Sequence, residues 1–295
     1  MTVQSEVTSS DGIKSTSFEY GLAYQRLQAA KYRDREHNHW KHRIRLAHEL
    51  VDQYALPRLG DRKPAEITVV DVGTSIGTFA IEFAKRGFQT FGLDFDAQAL
   101  AIAAELAREE GVEPTFVQTD VADWPRSLPR IDVAVCFDIF EHLHDDEMGA
   151  FLTAIRRNLS ERGCLVFHTY PTQYDYLLFG RGYARLPLNF AARLPPRWFE
   201  RLLRAYAAVL DAGMLLLRGQ DYRDSIKTWS HCNPTTRSRL ADVIARAGYD
   251  LLCLESAQFY DFKASASRRF RRQPSANRNI FGVAVPRRPS APPTK

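Results

Sequence analysis

Only four cysteines occur in 295 residues, at 136, 164, 232 and 253, and none has the close spacing of a metal finger. That scatter excludes a cysteine-rich metal knuckle and gives no sign of a disulfide framework. Cys136 and Cys164 fall inside apolar runs, where packed thiols are expected. Uninterrupted apolar runs fall well short of the ~20 residues needed to span a bilayer. Residues Met1 to Ser17 are polar and lack the apolar stretch of a signal peptide, so a cytoplasmic setting is expected. Acidic residues are missing altogether after Asp261, whereas nine lysines and arginines follow it, at 263, 268, 269, 271, 272, 278, 287, 288 and 295. Setting those nine aside leaves 31 basic residues against 35 acidic, so the formal net charge of +5 belongs to the tail and the body carries about −4. A body of that sign lacks the electrostatic footprint of a specific nucleic-acid binder. The cluster Arg268 to Arg272 lies between two expected C-terminal strands. It reads as a solvated hairpin loop, with anionic lipid or nucleic acid as the alternatives.

What is present is concentrated near residue 70. Residues 67 to 77 read Ile-Thr-Val-Val-Asp-Val-Gly-Thr-Ser-Ile-Gly, and Ile76 to Phe83 continue with helical character. A β-branched run, a glycine turn and an apolar helix describe a buried strand delivering a helix N-terminus. Gly73 and Gly77 let backbone approach a ligand, and the helix start offers free N–H groups. The dinucleotide pattern Gly-x-Gly-x-x-Gly would need glycines at 73, 75 and 78, and only Gly73 is there. An acidic-x-Gly-x-Gly-x-Gly turn would need 73, 75 and 77. Asp71, Gly73 and Gly77 satisfy it, with Ser75 in the middle.

Downstream, acids recur at expected strand ends. A strand from Gln89 to Leu93 ends in Asp94, at the distance from the turn where a Rossmann-type fold reaches ribose hydroxyls. A helix over Ala97 to Glu110 and a strand over Thr115 to Gln118 lead to Asp120 and Val121. A strand over Ile131 to Phe137 leads to Asp138, and a fifth strand covers Cys164 to His168. Any one of these acids alone reads as a cap or turn residue. The ordered set resembles the class I S-adenosylmethionine (SAM) methyltransferases. The resemblance covers about residues 66 to 170 and, more loosely, 231 to 286. It implies a Rossmann-like α/β fold, a seven-stranded sheet with helices on both faces, and SAM as cofactor. It further implies a cofactor set of Asp71, Gly73, Ser75, Gly77, Asp94, Phe95, Asp120, Val121 and Phe137, with Asp94 on the ribose and Asp120 on the adenine amino group.

Two finer resemblances concern chemistry. Phe137-Asp138-Ile139-Phe140-Glu141-His142-Leu143 is similar to the acid-x-x-Glu-His segment of ubiquinone-pathway O-methyltransferases, and to that of small-RNA 3′-end 2′-O-methyltransferases. There it implies Glu141 and His142 as catalytic residues and Asp138, Glu141 and His142 as ligands of a divalent metal. Aspartate at 138 reaches less far than the usual glutamate, which counts against the metal. Trp229 to Thr235 resembles the His-x-Asn-x-x-Thr segment of broad-specificity members and implies His231 at the acceptor pocket. Asn233 or Thr235 would equally serve as a helix cap. Asn38 through Leu46 weakly resembles the ubiquinone family's Asn-Pro-Leu-Arg-Leu segment, where an arginine meets the cofactor carboxylate. Arg45 aligns best, with Arg43 in reserve.

The chain therefore divides into a disordered N-terminus (1–17), a helical segment (18–65), a SAM-binding core (66–170), a helical insertion between strands five and six (171–230), the rest of the core (231–286) and a tail (287–295). Arg197 to Arg218 is amphipathic, with Trp198, Leu202, Val209 and Leu217 among its apolar residues. A hydrophobic stripe usually faces a core, so a lid is expected, with a homodimer contact or a peripheral membrane contact as alternatives. The expected function is SAM-dependent methylation, at oxygen, of a small-molecule or lipid-like acceptor. RNA 2′-O-methylation and a SAM-fold scaffold without turnover remain the competing readings.

Overall fold

The computed structural model describes residues 21–120, 128–170, 235–257 and 279–287, with Thr172, Asn233, two short N-terminal strands and eight positions between 197 and 216. Val121, His231 and most of 171–230 lie outside the described residues, as does the Arg268 to Arg272 cluster. Within the N-terminal stretch read as disordered, Ser5–Thr8 pairs antiparallel with Lys14–Ser17.

The expected seven-stranded sheet forms. Its strands are β1 (Thr68–Val72), β2 (Gln89–Asp94), β3 (Thr115–Gln118), β4 (Ile131–Phe137), β5 (Leu159–Thr169), β6 (Tyr249–Ala257) and β7 (Asn279–Pro286). They lie in the order β3-β2-β1-β4-β5-β7-β6. β1 to β5 are mutually parallel, and β7 runs antiparallel to both β5 and β6. The order reverses direction after β1, so the crevice at the carboxyl ends of β1 and β4 is the topological switch point where α/β folds bind ligands.

Both faces are covered, which is why β1 and β4 are buried at every residue. Val133, Val135 and Phe137 face a cluster with Leu46 and Leu50 of α2 (Asn38–Leu50) and Phe79 and Phe83 of α3 (Thr78–Ala84). The alternate residues Ala134 and Cys136 face Leu152 and Ile155 of α5 (Asp145–Asn158), and Leu240 and Ile244 of α6 (Arg237–Arg246). Cys136 and Cys164 are buried, as packed thiols should be. α4 (Ala97–Glu109) is capped by Asp96, whose carboxylate accepts from the N–H groups of Gln98 and Ala99. Thr236, rather than Asn233 or Thr235, caps α6 by accepting from the Arg239 N–H. Gly248, at φ +84°, ends that helix as its position suggests.

The N-terminal helical segment is made of several helices. α1 (Leu22–Arg33) stops at Asp34, whose carboxylate accepts from the Glu36 N–H and turns the chain before α2. β5 starts five residues before Cys164, because Leu159 already pairs with Ile131. No helix among the described residues is long and apolar enough to cross a membrane.

Candidate active site

The glycine turn after β1 is held from beneath by Asp71. Its side chain is buried, and Oδ2 accepts from the Thr74 hydroxyl at 2.6 Å and the Ala80 N–H at 3.1 Å. Asp71 therefore shapes the turn and the α3 N-terminus, and its contribution to a ligand is indirect. Burial pushes its pKa up to about 7, against the opposing hydrogen bonds of Thr74 and Ala80. A raised carboxyl pKa means the folded state holds a proton that the unfolded state, at about 3.9, has lost. Stability should consequently fall as pH rises from about 4 to about 7. Asp71→Asn should flatten that fall by roughly 1 kcal/mol or more per pH unit. Thermal unfolding that drops as steeply in the variant would remove the assignment.

Gly73 and Gly77 have φ of +69° and +80°, and a Cβ would lie 2.7 Å from Ile139 Cδ1 at the first and 2.8 Å from Ala103 Cβ at the second. Ser75, the residue standing where the family's middle glycine falls, is also left-handed, at φ +49°. That conformation costs a non-glycine residue on the order of 1 kcal/mol. Two contacts hold it: its N–H donates to Asp94 Oδ2 at 2.7 Å, and its hydroxyl donates to Gln25 Oε1 at 3.0 Å. Gln25 of α1 also donates to Asp96 at 3.2 Å, so α1 lies across the ends of β1 and β2.

Asp94 is buried, with burial raising its pKa against the hydrogen bonds from Asp96 and Ser75. Each oxygen already accepts one backbone N–H, from Ser75 and from Asp96, and each retains a lone pair for a hydroxyl. Phe95 beside it is 44% exposed. Asp120 is exposed in the turn after β3. The Phe137 ring is buried, 4.5 Å from the Phe79 ring and stacked on His168 at 5.3 Å.

Beyond β4 lies a polar network that the sequence reading only half anticipates. Asp138, left-handed at φ +57°, accepts from Arg43 Nε at 2.5 Å and shares a 2.7 Å hydrogen bond with His168 Nδ1. His168 Nε2 lies 3.0 Å from Asn279 Oδ1 on β7. Arg43 is 3% exposed, and its guanidinium lies 5.9 Å from the Tyr170 ring centroid. Arg45, the better aligned of the two arginines, faces away on α2, 3.9 Å from Glu49 and 43% exposed. Of the two, Arg43 is the one that faces the end of β4. Registers along a helix decide this: two residues separate the arginines by about 200°, so only one can face the sheet.

Glu141 is completely buried. One oxygen accepts from the Thr169 hydroxyl at 2.7 Å, and Oε1 has no hydrogen-bond partner among the described residues. Burial, and then the negative charge of Asp138, push its pKa well above the usual carboxylate range. Burial acts on Asp138 in the same direction, but Arg43 and His168 outweigh it and hold that carboxyl well below the range. The two neighbouring carboxyls are thus pushed in opposite directions.

A cation at Asp138, Glu141 and His142 would have to share Asp138 with the Arg43 guanidinium and with His168, which already take both of its oxygens. The triad does not fit a divalent metal, and no cluster of three or more ligating side chains occurs among the described residues. His142 itself is half-buried in the turn Phe140–His142. His231 lies outside the described residues, but Asn233, two positions on, donates its N–H to the Glu141 carbonyl at 2.9 Å and its Nδ2 to the Leu143 carbonyl at 2.7 Å.

Residues 39–254 match the methyltransferase domain family. The chain belongs to that family. The ubiquinone biosynthesis O-methyltransferase of Serratia proteamaculans (strain 568) is 38% identical over 79 residues, 26% of this methyltransferase and 33% of that protein. The magnesium-protoporphyrin O-methyltransferase of Synechocystis sp. is 26% identical over 140 residues, 46% of this chain and 60% of that one. The matched stretches thus span a third to three fifths of those relatives' own length. A crystal structure of a S-adenosylmethionine-dependent methyltransferase from Clostridium acetobutylicum superposes with a TM-score of 0.54 at 11% identity, covering 90% of this chain and all of that one. At that identity the likeness is one of fold, and the fold is that of the class I SAM methyltransferases.

The sequence signal for His168 was its place at the end of β5. Nothing in the sequence indicated Asn279, which enters through the antiparallel return of β7 beside β5.

Proposed function

We propose that the protein transfers the methyl group of SAM to an oxygen of a small-molecule or lipid-like acceptor. The observation that carries this reading is the convergence of the glycine turn, Asp94 and the Asp138 to His142 loop at the carboxyl ends of the adjacent strands β2, β1 and β4. SAM, when bound, supplies an electrophilic methyl carbon on a sulfonium. The chain holds the ribose through Asp94 and the adenine through Asp120 and Val121, and Arg43 takes the cofactor-carboxylate role first given to Arg45. Gln25 of α1 lies beside the glycine turn, hydrogen-bonded to Ser75 and Asp96. Glu141, whose pKa burial pushes up and whose Oε1 has no hydrogen-bond partner among the described residues, offers the acceptor a hydrogen bond. His142 or His231 takes the acceptor's proton while the new oxygen–carbon bond forms and the methyl–sulfur bond breaks.

The test is transfer of label from methyl-tritiated SAM to phenols, enols and carboxylic acids, with and without prenyl chains, beside an RNA control. Label in a hydroxyl or carboxyl oxygen supports the proposal. Label in RNA alone, or saturable SAM binding with no transfer to anything, would overturn it. Asp94→Ala should weaken SAM binding at least tenfold, about 1.4 kcal/mol. It removes the ribose acceptor and releases the brace on left-handed Ser75 together. Calorimetry showing unchanged affinity would remove Asp94 from the cofactor site.

A further inference from the structure

Residues 198, 202, 205, 209, 212 and 216 are all helical and all exposed. Their spacing alternates four and three, which places Trp198, Leu202, Ala205, Val209, Ala212 and Leu216 within an arc of about 80° on a helix. The large members are far from covered: Trp198 is 59% exposed, Leu202 47%, Val209 69% and Leu216 84%. Trp198, Leu202 and Val209 belong to the stripe that a lid would cover, and they stand in solvent.

Charge indicates what covers them. Residues 181–218 contain seven arginines, no lysine and only two acids, Glu200 and Asp211. Arg197 and Arg201 are exposed beside the stripe, and the Arg201 guanidinium lies 5.6 Å from the Trp198 ring centroid. Two copies meeting through this face would oppose two arginine-rich segments. An anionic bilayer surface meets both requirements, taking the apolar stripe among its acyl chains and the arginines among its headgroups. Trp198 is the residue type that favours that interface.

We propose that this face docks the methyltransferase in plane on anionic phospholipid membranes. This deepens the lipid-like arm of the proposed function, because docking would bring the enzyme to a membrane-dissolved acceptor. It rests on that reading for its purpose but not for its test.

The test is co-sedimentation of the full chain with phosphatidylcholine vesicles and with vesicles containing a quarter phosphatidylglycerol. Binding to the anionic vesicles should be roughly tenfold tighter or more, and should weaken in high salt. The variant Trp198→Gln, Leu202→Gln, Val209→Gln, Leu216→Gln keeps every arginine and the basic tail. It should lose that binding at least tenfold while still binding SAM. Should that variant fail to fold, Trp198→Phe with brominated anionic lipid gives the second reading, since fluorescence quenching should fall with the loss of an inserted Trp198. Equal vesicle binding by wild type and the stripe variant would overturn the proposal. So would absence of binding at low salt, unchanged quenching in Trp198→Phe, or a wild-type dimer that the stripe variant converts to monomer. Vesicle binding is read without turnover, so loss of methyl transfer with docking intact would count against the proposed function alone.

Discussion

His142→Ala is expected to lower turnover roughly 10²- to 10⁴-fold with SAM affinity nearly intact. The same is expected of His231→Ala. His142 ends the turn that follows β4, its N–H held by the Ile139 carbonyl at 2.8 Å, on the side of the sheet end where Glu141 and Thr169 meet. The chain two residues beyond His231 is fastened to the same turn by the two Asn233 hydrogen bonds, to Glu141 and to Leu143. If both imidazoles serve one acceptor, the double variant should lose little more than the worse single one, because groups acting as a unit are not additive. Turnover at saturating SAM, normalised to folded protein by thermal unfolding, is the measurement. Alanine variants with unchanged turnover per folded molecule would make the histidines structural.

Asp138→Ala is expected to cost about 3 kcal/mol of stability, the lower end of the range for breaking a buried pair, since Asp138 is 24% exposed. The variant leaves Arg43, 3% exposed, without its carboxylate, and strips His168 Nδ1 of its partner as well. It also keeps a non-glycine residue at φ +57° without the hydrogen bonds that hold it there. Asp138→Asn should cost less, because an amide oxygen can still accept from Arg43. The pH dependence has a definite sign. A depressed carboxyl pKa contributes stability that is present above the unfolded value of about 3.9 and is lost as pH falls toward the folded value. Wild type should lose stability below about pH 4 more steeply than Asp138→Asn. Equal acid limbs, or Asp138→Ala unfolding within about 0.5 kcal/mol of wild type, would show that Arg43 finds another anion.

The same buried network separates what was legible in the sequence from what was not. Strand and turn chemistry is local. A β-branched run ending in Asp71, glycines at 73 and 77, and acids after successive strands can be read without knowing what packs where. Side-chain direction is not local. Arg43 and Arg45 differ by two residues on one helix, and only the docking of α2 on the sheet fixes which of them meets Asp138. The resemblance implied Phe137 in the cofactor set, and strand alternation turns its ring into the cluster with Phe79.

By itself the sequence determined the class of fold, the place of the glycine turn and the carboxylate at the end of β2, because periodicity and turn residues impose these over a few neighbours. Only the tertiary structure decided that Asp71 and Ser75 brace the turn, that Arg43 and His168 draw the Asp138 pKa down while burial pushes that of Glu141 up, and that Arg43 and His168 already occupy the Asp138 carboxylate. Each of those outcomes depends on which charges burial brings within hydrogen-bonding distance: Arg43 and Asp138 are 95 residues apart in the chain and 2.5 Å apart in the fold.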